Sequence, residues 1–211
     1  MEFWHDALVE KSWKVLQELR KRYEFILLGG WAVYLYTKAL KSKDIDLIVD
    51  YSTLGRMGRE LPLKKNERLK KYELLVNDVE VDVYVPYFSY LGIPVEDVVA
   101  NVRVLEGFKV PTPEVLLILK QTAEIERAGS VKGLKDRIDI LALLIYSEIE
   151  LNHYLSLVDK YSLSSYRDRL MYLVETADRE FKELGITNPR HIKQLKKKIL
   201  AGIYGSQQNR L

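Results

Sequence analysis

The chain contains no cysteine, which excludes disulfides, thiolate catalysis and cysteine-type zinc sites. Histidine is scarce. His5, His153 and His191 are far apart in sequence and show no metal-ligand spacing. No apolar run approaches the roughly 18 residues that would suggest a membrane-spanning helix. The N-terminus, Met-Glu-Phe-Trp-His-Asp, lacks a basic region followed by an apolar stretch, so no signal peptide is expected. There is no internal repeat and no low-complexity segment. A large excess of either charge is also missing: Lys and Arg number 33 against 30 Asp and Glu, a net charge of +3. Bulk charge therefore does not point to nucleic acid, although the positive charge concentrates toward the C-terminus. These absences together predict a soluble cytoplasmic protein. High Lys, Glu and Arg without Cys also fits a thermophile.

What is present is ample material for a core. At 211 residues with 47% hydrophobic content, the chain can form one large domain or two small ones. Residues 3–22, with Trp4, Leu8, Trp13, Leu16 and Leu19, read as an amphipathic helix. Residues 25–28 read as a short buried strand, 31–40 as a helix, 44–49 as a second strand and 52–61 as a short helix before Pro62. Residues 67–76 and 79–85 read as strands joined by an Asn77-Asp78 turn. Residues 101–105 and 108–110 read as an extended pair. From Pro111 the pattern becomes helical: 113–128 with Thr112 as N-cap, then 132–146, 150–161, 164–184 and 189–202. Residues 205–211 read as a frayed end. The division expected is an α/β half over 1–110 and a helical half over 111–211, packed tightly together.

The chemistry concentrates in two places in the first half. Gly29-Gly30 ends a strand and opens a helix, an arrangement suited to anions. Ser42-Lys43-Asp44-Ile45-Asp46 then places two carboxylates on one face of the next strand, with Ile45, Leu47 and Val49 on the other. Asp82 repeats the arrangement on a strand whose opposite face is Val79, Val81, Val83 and Val85. If the two strands pair, three carboxylates come within reach of one another. Oxygen ligands of this kind suit Mg²⁺ or Mn²⁺. Two ions about 3.5–4 Å apart are the arrangement for in-line phosphoryl or nucleotidyl transfer. The segment is not a P-loop, a dinucleotide fingerprint or an EF-hand.

Strand, Gly-Gly, helix, Ser-x-Asp-x-Asp and a later carboxylate, in that order, resemble the polymerase-β-like nucleotidyltransferase superfamily. Pro111-Thr112-Pro113-Glu114, then Lys120, then Lys135-Asp136-Arg137-Ile138-Asp139, are similar to the nucleotidyltransferase toxins of abortive-infection systems and to minimal nucleotidyltransferases. The resemblance covers roughly residues 25–146. Lys135 stands where those toxins usually have Arg, and Leu40-Lys41 replaces an arginine often found before the Ser-x-Asp-x-Asp element. The resemblance implies an α+β fold, with a small mixed or antiparallel sheet, flanking helices and a C-terminal helical bundle. It implies NTP as substrate, with Gly29, Gly30, Ser42, Lys120 and Asp136 binding the nucleotide. Asp44, Asp46 and Asp82 would ligate two metal ions, and with Lys120 they form the catalytic set. Lys120 and Asp136 would reach the cleft from the helical half. Asp139 follows Asp136 by one helical turn, and surface ion pairing is the alternative reading for both.

Arg190, Lys193, Lys196, Lys197 and Lys198 crowd one helix above an apolar stripe. This is either a solvated face or a contact for an RNA such as tRNA. The expected activity is transfer of NMP from NTP to a hydroxyl of tRNA, protein or a small molecule, with release of pyrophosphate. The alternative is a non-catalytic regulator or antitoxin-like protein on the same fold. A cognate antitoxin or regulatory partner is a further expectation.

Overall fold

The computed structural model describes residues 6–205. The expectations for Trp4, His5 and the residues after 205 fall outside them. The chain divides into two compact units, with the boundary between Thr112 and Pro113. No helix among the described residues is long and apolar enough to cross a membrane.

The first unit opens with α1 (Asp6–Arg22). Val9, Ser12, Leu16, Leu19 and Tyr23 recur at three- and four-residue intervals and are buried. The helix is followed by β1 (Ile26–Leu27), α2 (Gly29–Thr37), β2 (Ile45–Ile48) and α3 (Tyr51–Glu60). Trp31 of α2 donates its indole N–H to Ser12 Oγ at 2.9 Å, so the polar atoms of this helix contact satisfy each other in the core. The Asp50 side chain accepts from Thr53 N–H and caps α3.

Next come β3 (Lys64–Asn66), β4 (Lys71–Val76), β5 (Val79–Tyr84), α4 (Val95–Ala100), β6 (Val102–Leu105) and β7 (Phe108–Pro111). The seven strands form one mixed sheet in the order β3-β4-β5-β2-β1-β7-β6. Antiparallel pairs lie at both ends, and β5-β2 and β1-β7 are parallel. The α+β class and mixed sheet match the expectation. Asn77 and Asp78 take φ of 49° and 61°, the left-handed pair that a tight hairpin needs. Val79, Val81, Val83 and Val85 are almost fully buried.

Three local readings change. Residues 67–70 are turn rather than strand, because Lys70 is left-handed at φ 50° and the chain reverses there. The three-residue β3 and the helix α4 were not expected: β3 is polar and too short to show a period, and the helical spacing of Val95 and Val98 in α4 spans a single turn. Asp44 precedes β2 instead of lying inside it.

The second unit is helical: α5 (Pro113–Glu126), α6 (Val131–Tyr146), α7 (Leu151–Lys160), α8 (Ser164–Thr176), α9 (Arg179–Glu183) and α10 (Pro189–Gly205). Ser130 caps α6 by accepting from Gly133 N–H. Thr112, expected to cap α5, has a buried hydroxyl that hydrogen-bonds to nothing among the described residues. The helix expected over 164–184 is two helices. The chain turns at Ala177, and both Ala177 and Phe181 are buried against Leu141. Tyr154 O–H donates to Gln121 Oε1, and Gln121 donates to the Tyr166 carbonyl, a satisfied polar chain inside the bundle. Burial raises the Tyr154 hydroxyl well above its ordinary range.

Candidate active site

The sheet of the first unit sets the geometry. Parallel pairing of β2 with β5 places Asp46 directly beside Asp82, and antiparallel pairing of β4 with β5 places Glu73 on the other side of Asp82. Lys64 of β3 pairs with Glu73. Lys64, Glu73, Asp82 and Asp46 thus form one row across four neighbouring strands. Strands lie about 4.8 Å apart, so three adjacent carboxylates repel unless a cation joins them. Asp44, just before β2, lies near enough for its charge to act on Asp82.

The glycine turn belongs to the same site. Leu28 N–H donates to the Asp46 carbonyl at 2.8 Å, which ties the start of α2 to β2. Gly29 has φ of +62°, and a Cβ there would lie 2.0 Å from Asp46 Oδ2. Glycine is needed here on both counts: backbone conformation and room for the carboxylate. The start of α2 has no side-chain cap and no acidic residue in its first turn, a combination that leaves an N-terminus suited to an anion. Ser42 is buried and Lys41 is exposed.

Lys71 is the residue that sequence reasoning missed. Its ammonium sits 2.7 Å from Asp82 Oδ2 and 3.1 Å from Glu73 Oε1. Asn66 also donates to Glu73, at 3.0 Å. The signal was available: counting back from the Asn77-Asp78 turn puts Glu73 opposite Asp82, with Lys71 two residues further along on the same face. Burial is the main cause lifting the Asp82 carboxyl above the usual range. Lys71 pulls it back, while the charges of Glu73 and Asp44 push it up. Burial alone would lower Lys71, but its contacts with Asp82 and Glu73 outweigh that and hold it above its ordinary value.

As the side chains stand, no three Asp, Glu or His among the described residues converge as a set that could hold a metal ion. The donors are nevertheless right in kind: oxygen atoms only, in register, on one face, beside a glycine cradle. They fit a hard divalent cation provided the carboxylates rotate toward one another and Lys71 leaves Asp82.

Lys120 and Asp136 lie in the second unit. They are not the solvated groups that surface pairing would give. Lys120 Nζ is 2.7 Å from Asp139 Oδ2 and 3.2 Å from Asp136 Oδ1. Lys135 adds a contact to Asp139 at 3.2 Å and Arg127 one to Asp136 at 2.9 Å. Lys120, Lys135, Asp136 and Asp139 are all buried. Burial alone would raise the Asp139 carboxyl, but the Lys120 and Lys135 ammonium groups override it and hold it below the usual range. Three cations meet two carboxylates, so the cluster keeps a surplus positive charge.

No family model matches the chain, and no curated protein matches it in sequence. Solved structures resemble it. A "putative nucleotidyltransferase" from H. pylori superposes with a TM-score of 0.50 at 17% identity, over 98% of this chain and 97% of that one. JHP933 from Helicobacter pylori gives 0.48 at 19% identity, over 96% and 98%. An antigenic nucleotidyltransferase-like protein from Paracoccidioides brasiliensis gives 0.42 at 22% identity, over 76% and 92%. At these identities the likeness is one of fold, and the first of the three carries it.

Proposed function

Taking the nucleotidyltransferase fold as the premise, we propose that the chain transfers a nucleoside monophosphate from an NTP to an acceptor hydroxyl and releases pyrophosphate. The supporting observation is the row in which Asp46 and Asp82 stand in register while the Gly29 turn fits against the Asp46 carboxylate. An acidic row facing a helix N-terminus gives one end to cations and the other to phosphate.

In this reading the start of α2 at Gly29 and Gly30 receives the triphosphate through backbone N–H groups, and Ser42 donates a hydrogen bond to a phosphate oxygen. Asp44, Asp46 and Asp82 hold Mg²⁺ or Mn²⁺, two ions, which when bound neutralise the charge of the triphosphate. The acceptor oxygen attacks the α-phosphorus. A new P–O bond forms, the bond from the α-phosphorus to the bridging oxygen of the β-phosphate breaks, and pyrophosphate leaves. Asp82 takes up the hydroxyl proton. Lys120 contacts the phosphates, and Asp136 either orients Lys120 or contacts the nucleotide. The surplus charge of that cluster lets Lys120 attract phosphate while staying paired.

The test is incubation with Mg²⁺, each α-labelled NTP and total RNA or lysate, beside an Asp44→Ala/Asp46→Ala control. Label transfer that the control abolishes supports the proposal. No transfer, together with no metal-dependent NTP binding, sinks it.

One observation favours a second reading, a non-catalytic regulatory or antitoxin-like protein on the same fold. The Lys71 ammonium already neutralises Asp82. If that pairing is permanent, divalent cations will bind Lys71→Ala but not the wild type.

A further inference from the structure

The first unit carries a feature that the transfer chemistry leaves unused. Five of the eight residues from Lys64 to Lys71 are cationic and one, Glu67, is acidic. They form β3, the following turn and the first residue of β4, at the open edge of the sheet. Lys64, Lys65, Arg68 and Lys70 are exposed. Lys64 and Lys71 also line a cleft of about 430 Å³ together with Glu73, Glu80 and Asp82. That volume is enough for one nucleotide.

Aromatic rings interleave with these cations. Lys65 and Lys70 lie 4.5 and 5.2 Å from the Phe88 ring centroid, and Phe88 packs against Tyr72 at 5.6 Å. On either side of Phe88, Tyr87 and Tyr90 are 84% and 63% exposed. Lysines on an edge strand also guard against edge-to-edge pairing. That role needs only a charge or two, as at the opposite edge, where β6 carries Arg103 alone. Nor does it account for two exposed tyrosines. The basic helix α10 has no Phe, Tyr or Trp over 190–198, and the ring beside its Lys196, Phe181, is buried. Lys196 pairs with Asp178 as Lys65 and Lys70 pair with Glu67, but only the latter two stand beside exposed tyrosines.

Cations that track a phosphate backbone, beside rings on which bases stack, are what single-stranded nucleic acid requires. We propose that the β3–β4 edge and the 87–90 loop dock a single-stranded polynucleotide and deliver its terminal hydroxyl into the cleft beside Asp82. The delivery step rests on the nucleotidyl-transfer reading of that site; the docking surface does not.

The test measures fluorescence anisotropy of labelled single-stranded RNA, and of DNA of the same sequence, over a series of NaCl concentrations with neither NTP nor divalent ion. Lys64→Glu/Lys65→Glu/Arg68→Glu is expected to weaken binding more than tenfold. It should also reduce the slope of log K against log salt by about 2, since each phosphate contact in a single strand contributes roughly 0.7. Tyr87→Ala/Tyr90→Ala should weaken binding with the slope unchanged, and Lys193→Glu/Lys197→Glu/Lys198→Glu should leave both as in the wild type. The milder Lys64→Gln/Arg68→Gln, with its far-ultraviolet circular dichroism checked, guards against misfolding. The RNA and DNA arms identify which polynucleotide is preferred. The proposal is overturned if the wild type binds neither, if only the α10 variant loses binding, or if poly-L-glutamate binds as tightly as RNA. Single-stranded RNA binding that the β3–β4 edge variants weaken, in a protein that binds no metal–NTP complex, would uphold the docking surface and overturn delivery to a transfer centre.

Discussion

Each unit gathers carboxylates, and the two gatherings are charged in opposite senses. In the first, Asp46, Asp82 and Glu73 stand side by side across three strands with Asp44 nearby, and the Lys71 ammonium bridges Asp82 and Glu73. In the second, Asp136 and Asp139 are held by Lys120, Lys135 and Arg127. The first row has acid in excess; the second cluster has base in excess. A buried ion cluster that satisfies itself fixes helices against one another, and removing one member leaves a charge stranded. Carboxylates side by side on neighbouring strands repel, and a further cation relieves that repulsion. On the proposed reading the first cluster is arranged to receive a cation, while the second fixes its helices and keeps Lys120 in a setting of surplus positive charge.

The largest effect that separates them is on chemistry. Asp46→Asn should lower transfer by on the order of 10³-fold, the several kcal/mol that a metal-bound charge supplies at the transition state. Its thermal midpoint should stay the same or rise. A drop in both, measured by single-turnover kinetics and calorimetry on one preparation, would erase the distinction. The converse is Asp139→Ala, which strands Lys135, leaves Lys120 with Asp136, and should cost about 3–5 kcal/mol in denaturant unfolding. Asp82→Asn, by contrast, leaves Lys71 paired with Glu73 and should change stability by no more than about 1 kcal/mol.

The acid limb sharpens the contrast further. The folded-state pKa of Asp139 is lowered, so its stabilisation is complete above the ordinary carboxylate value of 3.8 and is lost as pH falls through the lowered one. The pKa of Asp82 is raised, so its contribution has the opposite sign: it favours folding below 3.8 and fades as pH rises through the raised value. Between pH 5 and 3.8, Asp139→Asn should therefore keep its full deficit relative to the wild type, while any difference for Asp82→Asn shrinks. Denaturant midpoints across that range check the signs. The smallest effect is expected at the exposed ion pair of Lys11 with Asp78, 2.6 Å long, where Lys11→Gln should not measurably move the midpoint.

Much of the first unit was legible in the residues. The valine alternation of β5 fixed which side Asp82 takes, and the apolar partners Ile45 and Leu47 fixed the same for Asp46, because burying one face of a strand decides the other. Gly29 was legible as a turn, but its closeness to the Asp46 carboxylate depends on β1 pairing with β2, a long-range contact that local pattern does not contain. Lys71 was hidden because residues 67–70 read as strand, which blurs where β4 begins; the pairing from the Asn77-Asp78 turn would have recovered it. In the second unit the spacing of Lys120, Asp136 and Asp139 was visible. Their burial was not, since it comes from packing α5 against α6. The break at Ala177 was also hidden, as no Gly or Pro marks it.

The central claim is that the row of Asp44, Asp46 and Asp82 receives a divalent cation with a triphosphate. The most direct test is calorimetric titration of Mn²⁺ into the intact protein in the presence of a non-hydrolysable NTP analogue. The account predicts saturable binding in the wild type, its loss in Asp44→Ala/Asp46→Ala, and displacement of Lys71 from Asp82 visible as a shifted ¹⁵N resonance of its ammonium. Equal heats in the wild type and the double variant, with the Lys71 signal unmoved, would contradict it.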